Sequence, residues 1–180
     1  MKVSVLFGVL LAMLVGCTGH DDWRTSTFDS SGLLIVPQAS RPKAPELAGE
    51  SLNGDMVELT NFRGRVVFLN AFASWCPPCQ QELPLLAKVN RTEPQVRIVG
   101  LDVMDHAPAA RGVLQAVGAT YPVISDPDGA LLRRFTKSLG SGLPITIVID
   151  EQGRVAGRVL GPMTEAMIKE ALERLSAEVG

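Results

Sequence analysis

The stretch FASWCPPCQQELP, residues 72–84, sets two cysteines three positions apart, with a tryptophan before them and two prolines between. What flanks it fixes the local structure. Residues 65–72, RVVFLNAF, form a β-rich apolar run of strand length, as expected of a buried strand. From Pro77 to about Asn90 the spacing of Leu83, Leu85, Leu86 and Val89 supplies the apolar face of a helix. Cys76 and Cys79 therefore fall where a strand ends and a helix begins. There the first sulfur lies near unpaired backbone N–H groups and the positive end of the helix dipole, which favours thiolate. Pro77 suits the first helical position, where a missing N–H costs nothing. Cys79, one turn on, faces the same side.

Three chemistries are open to such a pair. Zinc needs about two further ligands, and the only histidines are His20 and His106. A passive disulfide across so small a loop removes little chain entropy. Thiol-disulfide exchange needs a nucleophilic first cysteine and a second able to resolve a mixed disulfide, and this spacing provides both.

The 180 residues are 46% hydrophobic and 20% charged, which suits one domain with its own core. A formal net charge of −2 carries no electrostatic footprint for nucleic acid. The chain opens with Lys2, an apolar run over 3–15 whose one hydroxyl residue is Ser4, then Gly16 and Cys17. About 13 residues rise only about 20 Å as a helix, short of a hydrocarbon core of about 30 Å, so the run reads as a signal-peptide core rather than a membrane span. Leu14-Val15-Gly16-Cys17 resembles the bacterial lipobox, which implies cleavage before Cys17 and lipid on its sulfur. A plain secretory signal or an uncleaved membrane helix are the alternatives. With Cys17 lipidated, the two remaining cysteines have only each other, in a compartment where disulfides persist. The expected division is a signal peptide over 1–16, a lipidated polar tether over 17–43 and one domain over 44–180.

Along the domain, Asn53-Gly54 between short strand-like runs over 47–52 and 56–59 predicts a hairpin. Strands are expected over 96–103, 121–125, 145–149 and 154–160, the last two joined by a turn at Asp150-Glu-Gln-Gly153. Helices are expected over 107–117, 130–139 and 164–179, the last capped by Thr164. Residues 32–36 form a short apolar run with no evident partner. This order calls for an α/β fold: a central mixed sheet with helices on both faces and an extra N-terminal β-hairpin.

The span 44–179 resembles the TlpA/ResA group of thioredoxin-like extracytoplasmic thiol-disulfide oxidoreductases, which are related to the AhpC/TSA and Redoxin proteins. The matching segments are Arg63-Gly64-Arg65-Val-Val-Phe-Leu-Asn70, Phe72-Ala-Ser-Trp75, Cys76-Pro-Pro-Cys79, Glu82-Leu-Pro84 and Gly142-Leu-Pro144-Ile-Thr146-Ile-Val-Ile-Asp150. The resemblance implies a thioredoxin-like fold, Pro144 in cis beside the disulfide, the Leu143 backbone left to pair with a substrate chain, and Pro84 kinking the helix. Ordinary thioredoxins carry a buried aspartate where this chain has Asn70, whereas the TlpA/ResA group has a glutamate where Glu82 stands. Glu82 is either a proton acceptor for the Cys79 thiol, raising thiol pKa values by like charge, or an exposed acid favoured by the helix dipole. Trp75 either shields the disulfide and offers an apolar docking surface or packs on the sheet.

The function expected is a membrane-anchored protein-disulfide reductase. Cys76 attacks, Cys79 resolves, Glu82 moves a proton, and Trp75, Leu143 and Pro144 meet the substrate. By resemblance, the substrate is an extracytoplasmic protein disulfide such as that of apocytochrome c in cytochrome c maturation, and a membrane thiol supplies electrons. No cofactor beyond the Cys76–Cys79 disulfide, no metal and a monomer are expected. The alternatives are a disulfide-forming oxidase of secreted proteins, a peroxiredoxin-like peroxidase, for which the PxxxTxxC pattern is missing, and a Sco-type copper chaperone, which normally uses CxxxC.

Overall fold

The computed structural model describes residues 29, 31–136 and 142–178. The expected signal peptide and the first part of the tether, Cys17 included, lie outside the described residues. Among the described residues, eight strands and four α-helices follow one another as β1 (Leu33–Ile35), β2 (Ala48–Glu50), β3 (Met56–Glu58), β4 (Val66–Phe72), α1 (Pro77–Thr92), β5 (Val96–Val103), α2 (Ala107–Ala116), β6 (Val123–Asp126), α3 (Ala130–Arg133), β7 (Ile145–Ile149), β8 (Val155–Leu160) and α4 (Glu165–Ser176). Six strands form one sheet in the order β1-β8-β7-β4-β5-β6, and β2 pairs with β3 alone. Strands β4, β5 and β6 are parallel, while β7 runs antiparallel to both β4 and β8. This is the mixed sheet expected from the sequence.

Alternation along β4 builds two cores. Val66, Phe68 and Phe72 face a cluster completed by Leu83 and Leu86 of α1, Leu114 of α2, and Ile168, Ala171 and Leu175 of α4. Val67, Leu69 and Ala71 face the other cluster, with Leu132 and Phe135 from α3 and its exit, and Leu47, Val57 and Leu59 around the hairpin. Side chains alternate between the two faces of β4 and both faces are covered, so the strand is buried along its whole length. Gly100 allows the sheet to close beside the first cluster, since a Cβ there would stand 2.8 Å from Val123 Cγ2 and 3.3 Å from Phe72 Cε1.

Two expectations change. The helix expected over 130–139 is only Ala130–Arg133. Both Asp126 carboxylate oxygens cap its first turn by accepting from Leu131 and Leu132 N–H, and the chain then turns so that Phe135 is buried in the second cluster. Residues 137–139 lie outside the described residues. Residues 33–35, expected within the tether, are the edge strand β1, paired Leu33↔Val159 and Ile35↔Gly157. Burial of Leu33 and Leu34 draws this segment onto β8, so the packed unit reaches ahead of Ala44. The Asn53-Gly54 hairpin forms as expected, and its turn docks on the opposite edge, where Ser51 bridges Ile124 and Leu52 N–H bonds Val123 C=O at 2.8 Å. Strand β6 is thereby covered.

Candidate active site

Strand β4 ends at Phe72, and the turn Ala73–Cys76 leads into α1, closed by Cys76 N–H donating to Ala73 C=O at 3.2 Å. Cys76 is the N-cap of α1, and its Sγ accepts from Cys79 N–H at 3.3 Å. The two sulfurs are bonded, S–S 2.03 Å. Cys76 keeps 4% of its surface exposed and Cys79 none, so an incoming thiol meets the Cys76 side first. The strand-to-helix placement read from the sequence is what the fold provides. Pro84 lies inside α1, which runs on to Thr92.

Glu82 is buried at 2% exposure rather than lying on the helix surface. Its Oε1 accepts from Asn70 Nδ2 at 2.7 Å and its Oε2 from Met163 N–H at 2.6 Å, which ties α1 to β4 and to the segment leading into α4. Asn70 Nδ2 also donates to Thr146 Oγ1 of β7 at 3.0 Å. Burial pushes the Glu82 carboxyl up to about 7, against the two N–H donors that favour the ionised form. A carboxyl poised near neutrality, one turn beyond Cys79 in the helix, suits proton exchange. Tyr121 is buried in the same cluster, its hydroxyl held protonated by burial and by the Glu82 charge.

The Leu143–Pro144 peptide is cis, as the resemblance implied. Pro144 is buried and Leu143 half-buried, and β7 begins only at Ile145. Trp75 is 57% exposed, so it does not pack into the sheet, and its Nε1–H donates to Met104 C=O at 3.1 Å. Met104, in a left-handed backbone with φ 51°, is exposed beside it. His106 caps α2 by position without a side-chain bond. Among the described residues no group of three or more His, Cys, Asp or Glu is arranged to hold a metal ion. A cavity of about 680 Å³ lies at the other pole of the sheet, lined by Arg41, Val66, Asp150 and Leu172, away from the cysteines.

Sequence reasoning missed the segment that braces the cysteine turn. Asp105 accepts from Ser74 N–H at 2.5 Å and from Ser74 Oγ at 2.9 Å, and Gln80 Nε2 donates to Ser74 C=O. Asp102 is fully buried at the end of β5, and its carboxyl is pushed up to about 7 by burial first and then by the charge of Asp105. The available signal was an aspartate inside the apolar run over 96–103.

The Redoxin family model matches residues 39–175. The chain is 34% identical over 129 residues to the thiol-disulfide oxidoreductase ResA of Bacillus subtilis (strain 168), covering 71% of this chain and 70% of that protein. It is 26% identical over 179 residues to the ResA of Bacillus thuringiensis (strain Al Hakam), covering 97% and 98%. The crystal structure of a DsbF homologue from Corynebacterium diphtheriae superposes with a TM-score of 0.74 at 27% identity, over 84% of this chain and 98% of that one. With a buried Cys76–Cys79 disulfide at the head of α1 and these relatives, the chain belongs to the Redoxin family and is a thiol-disulfide oxidoreductase of the ResA-like kind.

Proposed function

We propose that the protein is an extracytoplasmic, lipid-anchored reductase of particular protein disulfides. Cys76 thiolate attacks a substrate sulfur, and the substrate's leaving thiolate takes up a proton. Cys79 then attacks Cys76 Sγ as its own thiol proton passes to Glu82, which frees the reduced substrate and restores the Cys76–Cys79 disulfide. A thiol donor at the membrane returns the two electrons. Trp75 meets the substrate surface, and the Leu143 backbone pairs with the substrate chain beside Pro144. Cys17 carries the lipid. A haem-attachment disulfide of an apocytochrome c, in cytochrome c maturation, fits as substrate.

The observation that carries the direction is the buried Glu82. When ionised, it opposes a thiolate nearby and offsets the helix dipole, so the reduced form is stabilised less than in a strong oxidant. The structural relatives include a protein described as a secreted thiol-disulfide isomerase from Corynebacterium glutamicum, which supports work outside the cytoplasm. The test is the reduction potential of Cys76/Cys79 against a thiol-disulfide buffer. A value near that of thioredoxin, about −270 mV, is expected, and one near that of DsbA, about −120 mV, would make the protein an oxidase. Labelling with an alkyne fatty acid, present in the natural chain and absent in Cys17→Ala, tests the anchor.

A further inference from the structure

Among the described residues three large apolar side chains are exposed, Met56 at 65%, Trp75 at 57% and Met104 at 44%. Met56 stands on β3 of the hairpin. The other two meet beside the disulfide. Trp75 directly precedes Cys76, and its indole Nε1–H donates to Met104 C=O at 3.1 Å. Pro77, which follows Cys76, is exposed as well. Apolar side chains exposed singly need no explanation, whereas neighbours grouped at a reactive sulfur mark a contact surface.

The backbone holds Met104 there at a cost. Among the described residues it is the one non-glycine residue with positive φ, at 51°. Glycine or asparagine enters that conformation more cheaply than a residue with a long side chain. The Met104 N–H donates to Asp126 C=O at 3.1 Å, and its C=O takes the indole bond. The next residue, Asp105, accepts from both Ser74 N–H and Ser74 Oγ. Ser74–Asp105 and Trp75–Met104 thus staple the loop between β5 and α2 to the turn before Cys76. Met104 is thereby fixed relative to the attacking sulfur, and backbone strain of this kind gathers at binding sites.

We propose that Met104 is a specificity-determining residue: with Trp75 it forms an apolar platform that receives the side chain next to the cysteine of a polypeptide substrate and favours an apolar one. The occupant follows from the chemistry at Cys76. A polypeptide joined to Cys76 Sγ in the mixed disulfide carries its neighbouring side chains past Trp75, the residue adjoining that sulfur, so the platform is continuous with the site of exchange. An apolar side chain laid on it takes out of water surface that both partners otherwise expose. Methionine is unbranched and polarisable, and it moulds to side chains of different shape. The preference is therefore for a class, aliphatic or aromatic over polar, rather than for one residue. It adds a choice among disulfides that the sulfurs themselves cannot make.

The proposal rests on exchange between Cys76 and a polypeptide disulfide and not on the direction of electron flow. Its test uses two symmetric peptide disulfides, identical except that the residue next to the cysteine is Leu in one and Ser in the other. Each is mixed with the reduced full chain, and the peptide thiol released is measured after acid quenching. The two second-order rate constants are taken as a ratio, so that any effect common to both peptides cancels. The natural chain should react about tenfold faster with the Leu peptide. Met104→Asn, polar and suited to the left-handed backbone, should bring the ratio to within about twofold of unity. Met104→Leu should keep about half of the natural ratio or more, since the volume and apolar character survive. Met56→Asn, on the hairpin, should leave the ratio as it is. A natural ratio near unity, a natural ratio retained in Met104→Asn, or one lost in Met104→Leu or Met56→Asn would each overturn the proposal. A reduction potential like that of an oxidase would overturn the proposed direction and not this ratio. Reaction of the natural chain with neither peptide would refute exchange at Cys76, and this proposal with it.

Discussion

Replacing Glu82 by Gln should abolish the pH dependence that this side chain imposes on stability. The carboxyl rises from 4.5 to about 7 on folding, chiefly because it is desolvated. The native state therefore keeps a proton that the unfolded chain has released between those values. Stability is full below pH 4.5, declines as pH rises through the window, and levels off above pH 7. The complete decline is about 3.4 kcal/mol, of which about 2.5 kcal/mol falls between pH 5 and pH 8.5. Gln does not titrate, so this decline disappears in the variant. Its fixed penalty is one misplaced donor: an amide nitrogen must face either Asn70 Nδ2 or Met163 N–H, at about 1–3 kcal/mol whatever the pH. Asp102 titrates in both proteins and cancels in their difference. Urea unfolding of the oxidised proteins at both pH values measures that difference, which should move by about 2.5 kcal/mol in favour of Gln as pH rises. A difference that stays constant would mean that Glu82 does not hold a proton near neutrality, and its part in proton transfer would fall with it.

Cys79→Ser should leave Cys76 able to attack and nothing to resolve the product, so a mixed disulfide with substrate accumulates and runs as a reducible adduct on a non-reducing gel. Trp75→Ala should raise KM for a protein disulfide severalfold and leave reaction with a small disulfide unchanged, because the exposed indole meets only a large partner. Arg41→Ala removes a buried guanidinium paired with Asp150 at 3.4 Å and with Glu178 at 2.7 Å. It should lower unfolding free energy by about 3–5 kcal/mol while exchange kinetics hold, since this cluster lies at the pole away from Cys76.

Most of the sheet was legible because strand-length apolar runs and helical periodicity alternate cleanly, and Val96–Val103 and Ile145–Ile149 appear within the expected bounds. The site was legible only as far as its motifs reach. Cys76, Cys79 and the cis Leu143–Pro144 bond fall in local signatures. The burial of Glu82 was not readable, since the first turns of a helix are an ordinary place for an exposed acid and only Asn70, twelve positions away, and Met163, eighty-one away, show where it points. Asp105 was missed for the same reason: its partner Ser74 is thirty-one positions off. The short α3 reflects a tertiary demand, the burial of Phe135, that helix propensity does not contain.

The edge strand β1 bears on geometry beyond the sheet. It runs antiparallel to β8, which is antiparallel to β7, itself antiparallel to β4. The polypeptide therefore joins the sheet at the pole where β4 hands over to the disulfide. With lipid on Cys17, as proposed, eleven residues stand between the anchored cysteine and Asp29. Even fully extended, that leash spans only about 40 Å. Cys76 would then sweep a shallow shell on the membrane-facing side of the molecule, where a bilayer-embedded donor reaches it easily and a substrate must come down to the surface. Lengthening the leash should loosen the dependence on the donor before it touches the chemistry.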